Sequence, residues 1–159
     1  MTRSTADLYD LYGEQVRVAS PMFINYGAKR IFSGPISTVK VHEDNSLVRQ
    51  ALEEPGEGRV LVVDGGGSLR CALLGDRLAS LAGDNHWEGV VVHGCIRDCA
   101  AISGMPIGVK AMGTNPRKSA RKGAGDRDVP VTFAGIIFRP SAYLYADDDG
   151  ILVADQKLD

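Results

Sequence analysis

Two short segments hold residue types suited to chemistry on a small anion. Gly75, Asp76, Arg77 and Leu78 open a stretch in which Leu78, Leu81 and Ala82 recur at helical spacing. The first N–H groups of a helix have no partner inside it, and with the helix dipole they favour a carboxylate or phosphate. A glycine there lets a ligand approach the backbone. The plain alternative is that Gly75 turns the chain and Asp76 caps the helix. Arg97 and Asp98 follow the apolar run 89–92, at the kind of strand-to-helix turn where α/β proteins hold ligands. Arginine grips a carboxylate through two parallel hydrogen bonds and stays charged at any useful pH. Aspartate is a hard oxygen ligand suited to magnesium or manganese. An ordinary surface ion pair, worth about 0–1 kcal/mol, is the competing account. Spacing favours the chemical one. Twenty residues separate Asp76 from Arg97, giving D-x20-R-D, and one loop–helix–strand excursion can return Arg97 and Asp98 to the Gly75 turn.

Such a turn needs a frame of strands and short helices. Ser4 or Thr5 caps a first helix carrying Leu8, Leu11 and Val16. Residues 35–41 alternate at period two and read as a strand. Asn45 or Ser46 opens a short helix that ends before Pro55. Residues 59–64 form a buried strand closed by Gly65, Gly66 and Gly67, and 69–74 a second short one. A helix over 76–82 precedes a strand over 89–92, and 93–98 turn towards another short helix. Further strands fall at 107–112, 131–138, 143–145 and 151–154. Strands alternating with helices, then strands in succession, indicate a mixed α/β domain. With 159 residues, against roughly 100–200 for one domain, the expectation is a single compact domain over 1–159.

Composition narrows the function. A net charge of -2 argues against a general nucleic-acid binder. No apolar stretch approaches the ~20 residues of a membrane span, and the acidic N-terminal segment lacks the apolar centre of a leader, so cytoplasmic residence and no membrane partner are expected. Cys71, Cys95 and Cys99 lack the C-x2-C pairing of a zinc site and read as buried free thiols. Asp64-Gly65-Gly66-Gly67 lacks the G-x4-G-K-[ST] context and reads as a flexible turn. His93 reads as a packed strand-end histidine rather than a base, and Trp87 as packing at a helix-to-strand junction. The basic run 116–122 reads as a solvated loop, with RNA or an anionic substrate as the other candidates. Asp147, Asp148 and Asp149 read as a hairpin turn, with one of them allowed to face the site.

The segments GRVLVVDGGGSLRCALLGDRLA, WEGVVVHGCIRD, GVKAMGTNPRKS and YLYADDDGILV resemble the regulator of ribonuclease E activity A family, and D-x20-R-D fits its 4-hydroxy-4-methyl-2-oxoglutarate aldolase-like branch. The resemblance runs over nearly the whole chain. It implies a swivelling β/β/α domain in a ring-shaped homotrimer with active sites between subunits. It further implies that Gly75, Asp76, Arg77 and Leu78 bind substrate, that Arg97 holds a small 2-oxo acid, and that Asp98 binds a divalent cation, Mg2+ or Mn2+. Asp76 would hold part of the cation's water shell or orient Arg97. The implied activity is that of a class II lyase with Arg97, Asp98 and Asp76 as catalytic residues, cleaving 4-hydroxy-4-methyl-2-oxoglutarate and decarboxylating oxaloacetate. The alternative is a non-catalytic ribonuclease inhibitor, with the basic run as its best feature. Longer aldolase members carry a C-terminal extension that is absent here.

Overall fold

The computed structural model describes residues 3–159. Ser4 caps α1 (Thr5–Tyr12), its hydroxyl accepting the Asp7 N–H at 3.1 Å. The chain continues through β1 (Val16–Val18), β2 (Ile24–Asn25), β3 (Phe32–Lys40), α2 (Ser46–Leu52), β4 (Val60–Asp64), β5 (Ala72–Leu74), α3 (Asp76–Asp84) and β6 (Gly89–Ile96). It ends through α4 (Cys99–Ile102), β7 (Gly108–Thr114), β8 (Asp126–Arg127), β9 (Val131–Phe133), β10 (Ile136–Phe138), β11 (Tyr143–Asp147) and β12 (Gly150–Ala154).

The main sheet runs β1-β12-β11-β3-β4-β6-β7-β2. Its centre, β3-β4-β6-β7, is parallel, and the flanking pairs are antiparallel. Both faces of the centre are covered, which is why β4 is apolar for four residues in a row. Leu61 and Val63 face the helical side with Val48, Leu52 and Leu78; Val60 and Val62 face the other side with Phe32, Phe133 and Phe138. Successive strand residues point to opposite faces, so one run feeds two cores. The result is one α/β domain on a mixed sheet. No helix among the described residues is long and apolar enough to cross a membrane.

Several boundaries differ from the sequence expectation. Val16 belongs to β1, because Gly13, at φ 48°, closes the first helix before it. Within 69–74 only Ala72–Leu74 is strand. His93, Gly94, Cys95 and Ile96 continue β6 instead of turning, because β5 and β7 supply ladder partners on either side, with a bulge between Val92 and Cys95. Residues 131–138 are a hairpin, not one strand: Ala134 and Gly135 both take the left-handed conformation that a tight two-residue turn demands. The short strands β1, β2 and β8 escaped the sequence reading.

Candidate active site

Ligand sites in parallel sheets lie beyond the carboxyl ends of the strands. Here β5 and β6 pair in parallel, with Leu74 opposite Ile96, and the Arg97 N–H donates to the Leu74 carbonyl at 2.9 Å. The residues that leave the two strands therefore meet. That contact is the physical content of the D-x20-R-D spacing. Gly75 is the cap residue of α3, in extended conformation. A β-carbon there would lie 2.8 Å from Asp98 Oδ2 and 3.5 Å from Arg97 Cγ, so a larger residue would displace the Asp98 carboxylate; close approach, not turn geometry, favours glycine.

Asp98 holds a left-handed backbone, φ 59° and ψ 37°. That conformation costs an L-residue about 1–2 kcal/mol and marks a place where position outweighs local comfort. Its Oδ2 accepts the Asp76 N–H at 3.1 Å. The plain alternative for Asp76 does not hold: Asp76 is the first residue inside α3, and Asp98, twenty-two residues on, caps the helix. The Arg77 and Leu78 N–H groups, also in the first turn, have no partner inside the helix. Arg97 Nη1 donates to the Pro116 carbonyl at 3.4 Å.

These groups open on one cavity of about 500 Å³, a volume suited to a small metabolite. One wall is Gly75, Asp76, Arg77, Leu78, Arg97 and Asp98; Ala72 and Leu81 add apolar surface. Asn45, Arg49, Lys118, Ser119 and Arg121 complete the lining. The basic run is solvated as expected, with Arg117, Lys118, Arg121 and Lys122 exposed, but its backbone is not free. It is strapped down at both ends: the Arg117 carbonyl accepts the Ala72 N–H at 2.8 Å, and the Ala120 carbonyl and Ser119 Oγ accept the Asn45 N–H at 3.2 and 3.1 Å. Asp44, buried beneath, accepts N–H groups from Ser46 at 2.9 Å and Lys122 at 2.8 Å. Burial pushes its carboxyl up, but these hydrogen bonds outweigh burial and hold it below the ordinary carboxylate range. Asn45, Arg49, Lys118, Ser119 and Arg121 are cavity residues that sequence reasoning did not assign; the basic run was the available signal.

Five cationic side chains and two carboxylates line the cavity. Among the described residues no group of three or more His, Cys, Asp or Glu converges as an all-protein metal cage. Asp98 with Asp76 nearby fits a hard cation of the magnesium kind, which takes one or two carboxylates and completes its shell with water and substrate.

Other candidates lie elsewhere. His93 stacks on Phe133 at 4.6 Å between ring centroids, with Nδ1 3.4 Å from Asp64 Oδ1, so it packs as expected, though within a strand. Gly65 and Gly67 donate to the His93 carbonyl, both at 3.1 Å, so the glycine turn is pinned. Asp147 accepts the Thr5 N–H and hydroxyl at 2.8 and 2.7 Å, and Asp148 pairs with Arg30 at 2.8 Å; none of the three successive aspartates lines the cavity. Cys71 and Cys95 are buried, and burial raises both thiols; Cys99, expected buried, is exposed. Trp87 is buried and donates from Nε1 to the Glu54 carbonyl at 3.1 Å.

The RraA-like family model, described as Aldolase/RraA, matches residues 5–153. A protein of Dechloromonas aromatica (strain RCB), provisionally named a 4-hydroxy-4-methyl-2-oxoglutarate aldolase, is 57% identical over 162 residues, covering 99% of this chain and 99% of its own. One of Alkalilimnicola ehrlichii, with the same provisional name, is 57% identical over 158 residues, covering 99% and 98%. Neither relative is much longer than this chain, so the C-terminal extension of longer members does not set it apart from them. Among solved structures, a Geobacillus kaustophilus HTA426 chain described as an S-adenosylmethionine:2-dimethylmenaquinone methyltransferase superposes with a TM-score of 0.95 at 55% identity, covering 98% of this chain and 97% of that one. The RNA-processing inhibitor RraA of Thermus thermophilis superposes with a TM-score of 0.96 at 45% identity, covering 100% and 96%.

Proposed function

The chain belongs to the RraA-like family, and from that premise we propose that it is a lyase, a divalent-metal-dependent pyruvate aldolase that cleaves 4-hydroxy-4-methyl-2-oxoglutarate and decarboxylates oxaloacetate. The observation that carries this reading is the meeting of Arg97 and Asp98 with the open N-terminus of α3 in one cavity. The relatives at 57% identity that bear the aldolase name support it over the full chain.

The chain's own groups suffice for most of the chemistry. The N–H groups of Arg77 and Leu78 take the substrate's C1 carboxylate at the positive end of α3. Arg97 faces the adjacent 2-oxo oxygen. When the C4 hydroxyl gives its proton to a water in the cavity, which later returns one to C3, and the C3–C4 bond breaks, C4 becomes the carbonyl of one pyruvate. The bonding pair moves into C2–C3, leaving an enolate that gains a proton at C3 to become a second pyruvate. With oxaloacetate the same bond breaks to release carbon dioxide. Both reactions put negative charge on the 2-oxo oxygen, where the Arg97 guanidinium, in a partly enclosed site, stabilises it. A magnesium or manganese ion held through Asp98, with Asp76 beside it, would supply Lewis acidity to that oxygen. Gly75 keeps the wall low enough for Asp98 and the substrate to approach α3.

The same reading makes residues 1–159 one swivelling β/β/α domain, assembled as a ring-shaped homotrimer in the cytoplasm. A second reading, ribonuclease inhibition, is favoured by the name of the Thermus relative and by the basic strap. Pyruvate release from both substrates, with magnesium, with manganese and with EDTA, separates the two. Arg97→Ala and Asp98→Ala should each lower metal-dependent turnover by about a hundredfold or more, the scale of losing a preorganised charge. Activity no higher than the metal-only blank sinks the lyase.

A further inference from the structure

Asn115 follows β7 directly and stands half-buried where the chain enters the strap, residues 116–122. Its N–H donates to the Ile96 carbonyl at 3.0 Å, its Oδ1 accepts the Arg117 N–H at 2.9 Å, and its Nδ2 donates to the Leu69 carbonyl at 2.7 Å. A peptide unit is planar, so a hydrogen bond to its N–H also fixes the direction of its carbonyl, and the reverse. The Ile96 carbonyl shares a unit with the Arg97 N–H, which donates to the Leu74 carbonyl at 2.9 Å. Asn115 on one side and Leu74 on the other therefore clamp the unit from which Arg97 springs. The Arg117 N–H shares a unit with the Pro116 carbonyl, to which Arg97 Nη1 donates at 3.4 Å. Asn115 thus grips both the root of Arg97 and the acceptor at its tip.

Local chemistry explains why asparagine serves here. Its side chain readily accepts the N–H two residues on, closing an Asx turn. The intervening Pro116 fixes its own φ near about −65°, has no N–H to compete, and keeps the residue before it extended. The bond from Nδ2 to Leu69 stops the amide from turning, and the Arg117 carbonyl in turn takes the N–H of Ala72, a cavity residue. With one N–H parked on a fixed carbonyl, the guanidinium keeps its other donors for an anion.

We propose that Asn115 is a positioning residue for Arg97: it holds the two peptide units that carry the root of that side chain and the acceptor of its tip, and so sets where the guanidinium stands in the cavity. What Arg97 meets there, the 2-oxo oxygen, rests on the lyase reading. That Asn115 sets it does not.

The test compares wild type, Asn115→Ala, Asn115→Ser, Arg97→Ala and the Asn115→Ala/Arg97→Ala double variant, with thermal unfolding to confirm that each is folded. Without ligand, the nitrogen–proton correlation of Arg97 Nε, identified by its absence in Arg97→Ala, should report a rigid guanidinium in wild type. Its heteronuclear NOE should fall by about half in Asn115→Ala. Asn115→Ser, whose hydroxyl can accept the same Arg117 N–H, should recover part of that order and guards against a misfolded alanine variant. Unchanged Arg97 order in Asn115→Ala overturns the proposal, whatever the chain turns over.

Oxaloacetate decarboxylation with magnesium gives the second readout. Asn115→Ala should lower kcat by about ten- to hundredfold and change KM by less than about threefold, because the charge that Arg97 answers grows in the transition state. In the Arg97→Ala background the same substitution should cost less than about twofold, since a residue acting through Arg97 has nothing left to act on. Equal losses in both backgrounds mean that Asn115 supports only the fold, and overturn the proposal. A wild type that releases no pyruvate, with Arg97 order still lost in Asn115→Ala, retains the positioning and loses the lyase.

Discussion

Asp98 combines a strained backbone, a cap on a neighbouring helix and an oxygen open to the cavity, and substitution can separate these properties. Asp98→Asn keeps a side chain that tolerates the left-handed region and still offers an oxygen to the Asp76 N–H. It removes only the charge. Its melting temperature should stay within a few degrees of wild type while magnesium-dependent pyruvate release is lost; a fall in both would mean that the charge mainly supports the fold. Gly75→Ala should lower stability and activity together. Its β-carbon falls 2.8 Å from Asp98 Oδ2, so the Asp98 carboxylate must move off the Asp76 N–H. The expected cost is about 1–3 kcal/mol of stability, with at least a tenfold fall in kcat/KM, read by thermal unfolding and steady-state kinetics. The contact around Gly75 was legible in the sequence as a glycine before a helix, but its reason was not. The glycine is there because of Asp98, which the chain reaches only after a whole helix and strand.

The strap shows how one buried carboxylate can hold a wall of the site. Asp44 accepts N–H groups from Ser46, Lys122 and Ala124, the last at 3.4 Å, and so ties the start of α2 to the end of the strap. Because those hydrogen bonds leave its carboxyl below the ordinary range, ionised Asp44 stabilises the fold at neutral pH. That contribution is fully present above the unfolded carboxylate pKa of about 3.9 and fades as pH falls through the lower folded value. Asp44→Asn should therefore be less stable than wild type at pH 7, with the gap closing below about pH 4. Denaturant unfolding at pH 7 and pH 3 checks this, and a gap constant with pH would remove Asp44 ionisation from the account. At pH 7 the same variant should also raise KM, since Lys118, Ser119 and Arg121 ride on the strap.

At the scale of the whole molecule, the proposed assembly is a ring whose sites are shared between neighbouring copies. The homotrimer predicts a sedimenting species of about 51 kDa, three times the 17.0 kDa chain. A stable 17.0 kDa species with full activity would exclude a shared site. Local order by itself determined much of the working part of this protein. The helical spacing of Leu78, Leu81 and Ala82, the buried run before it and the twenty residues between Asp76 and Arg97 define a strand–helix–strand unit whose ends must meet. Those signals are local because a parallel pair joined by one helix closes on itself. What lay beyond reach was every feature whose partner is distant along the chain. The strands β1, β2 and β8 are two or three residues long and exist because a longer strand is there to receive their hydrogen bonds. His93 to Ile96 form strand, not turn, because β5 and β7 flank them. The basic run became a cavity wall because Asp44 and Asn45, more than seventy residues away, hold its N–H and carbonyl groups. Hydrogen bonds across such separations leave no periodicity in the sequence, so only the folded chain decided where those charges stand.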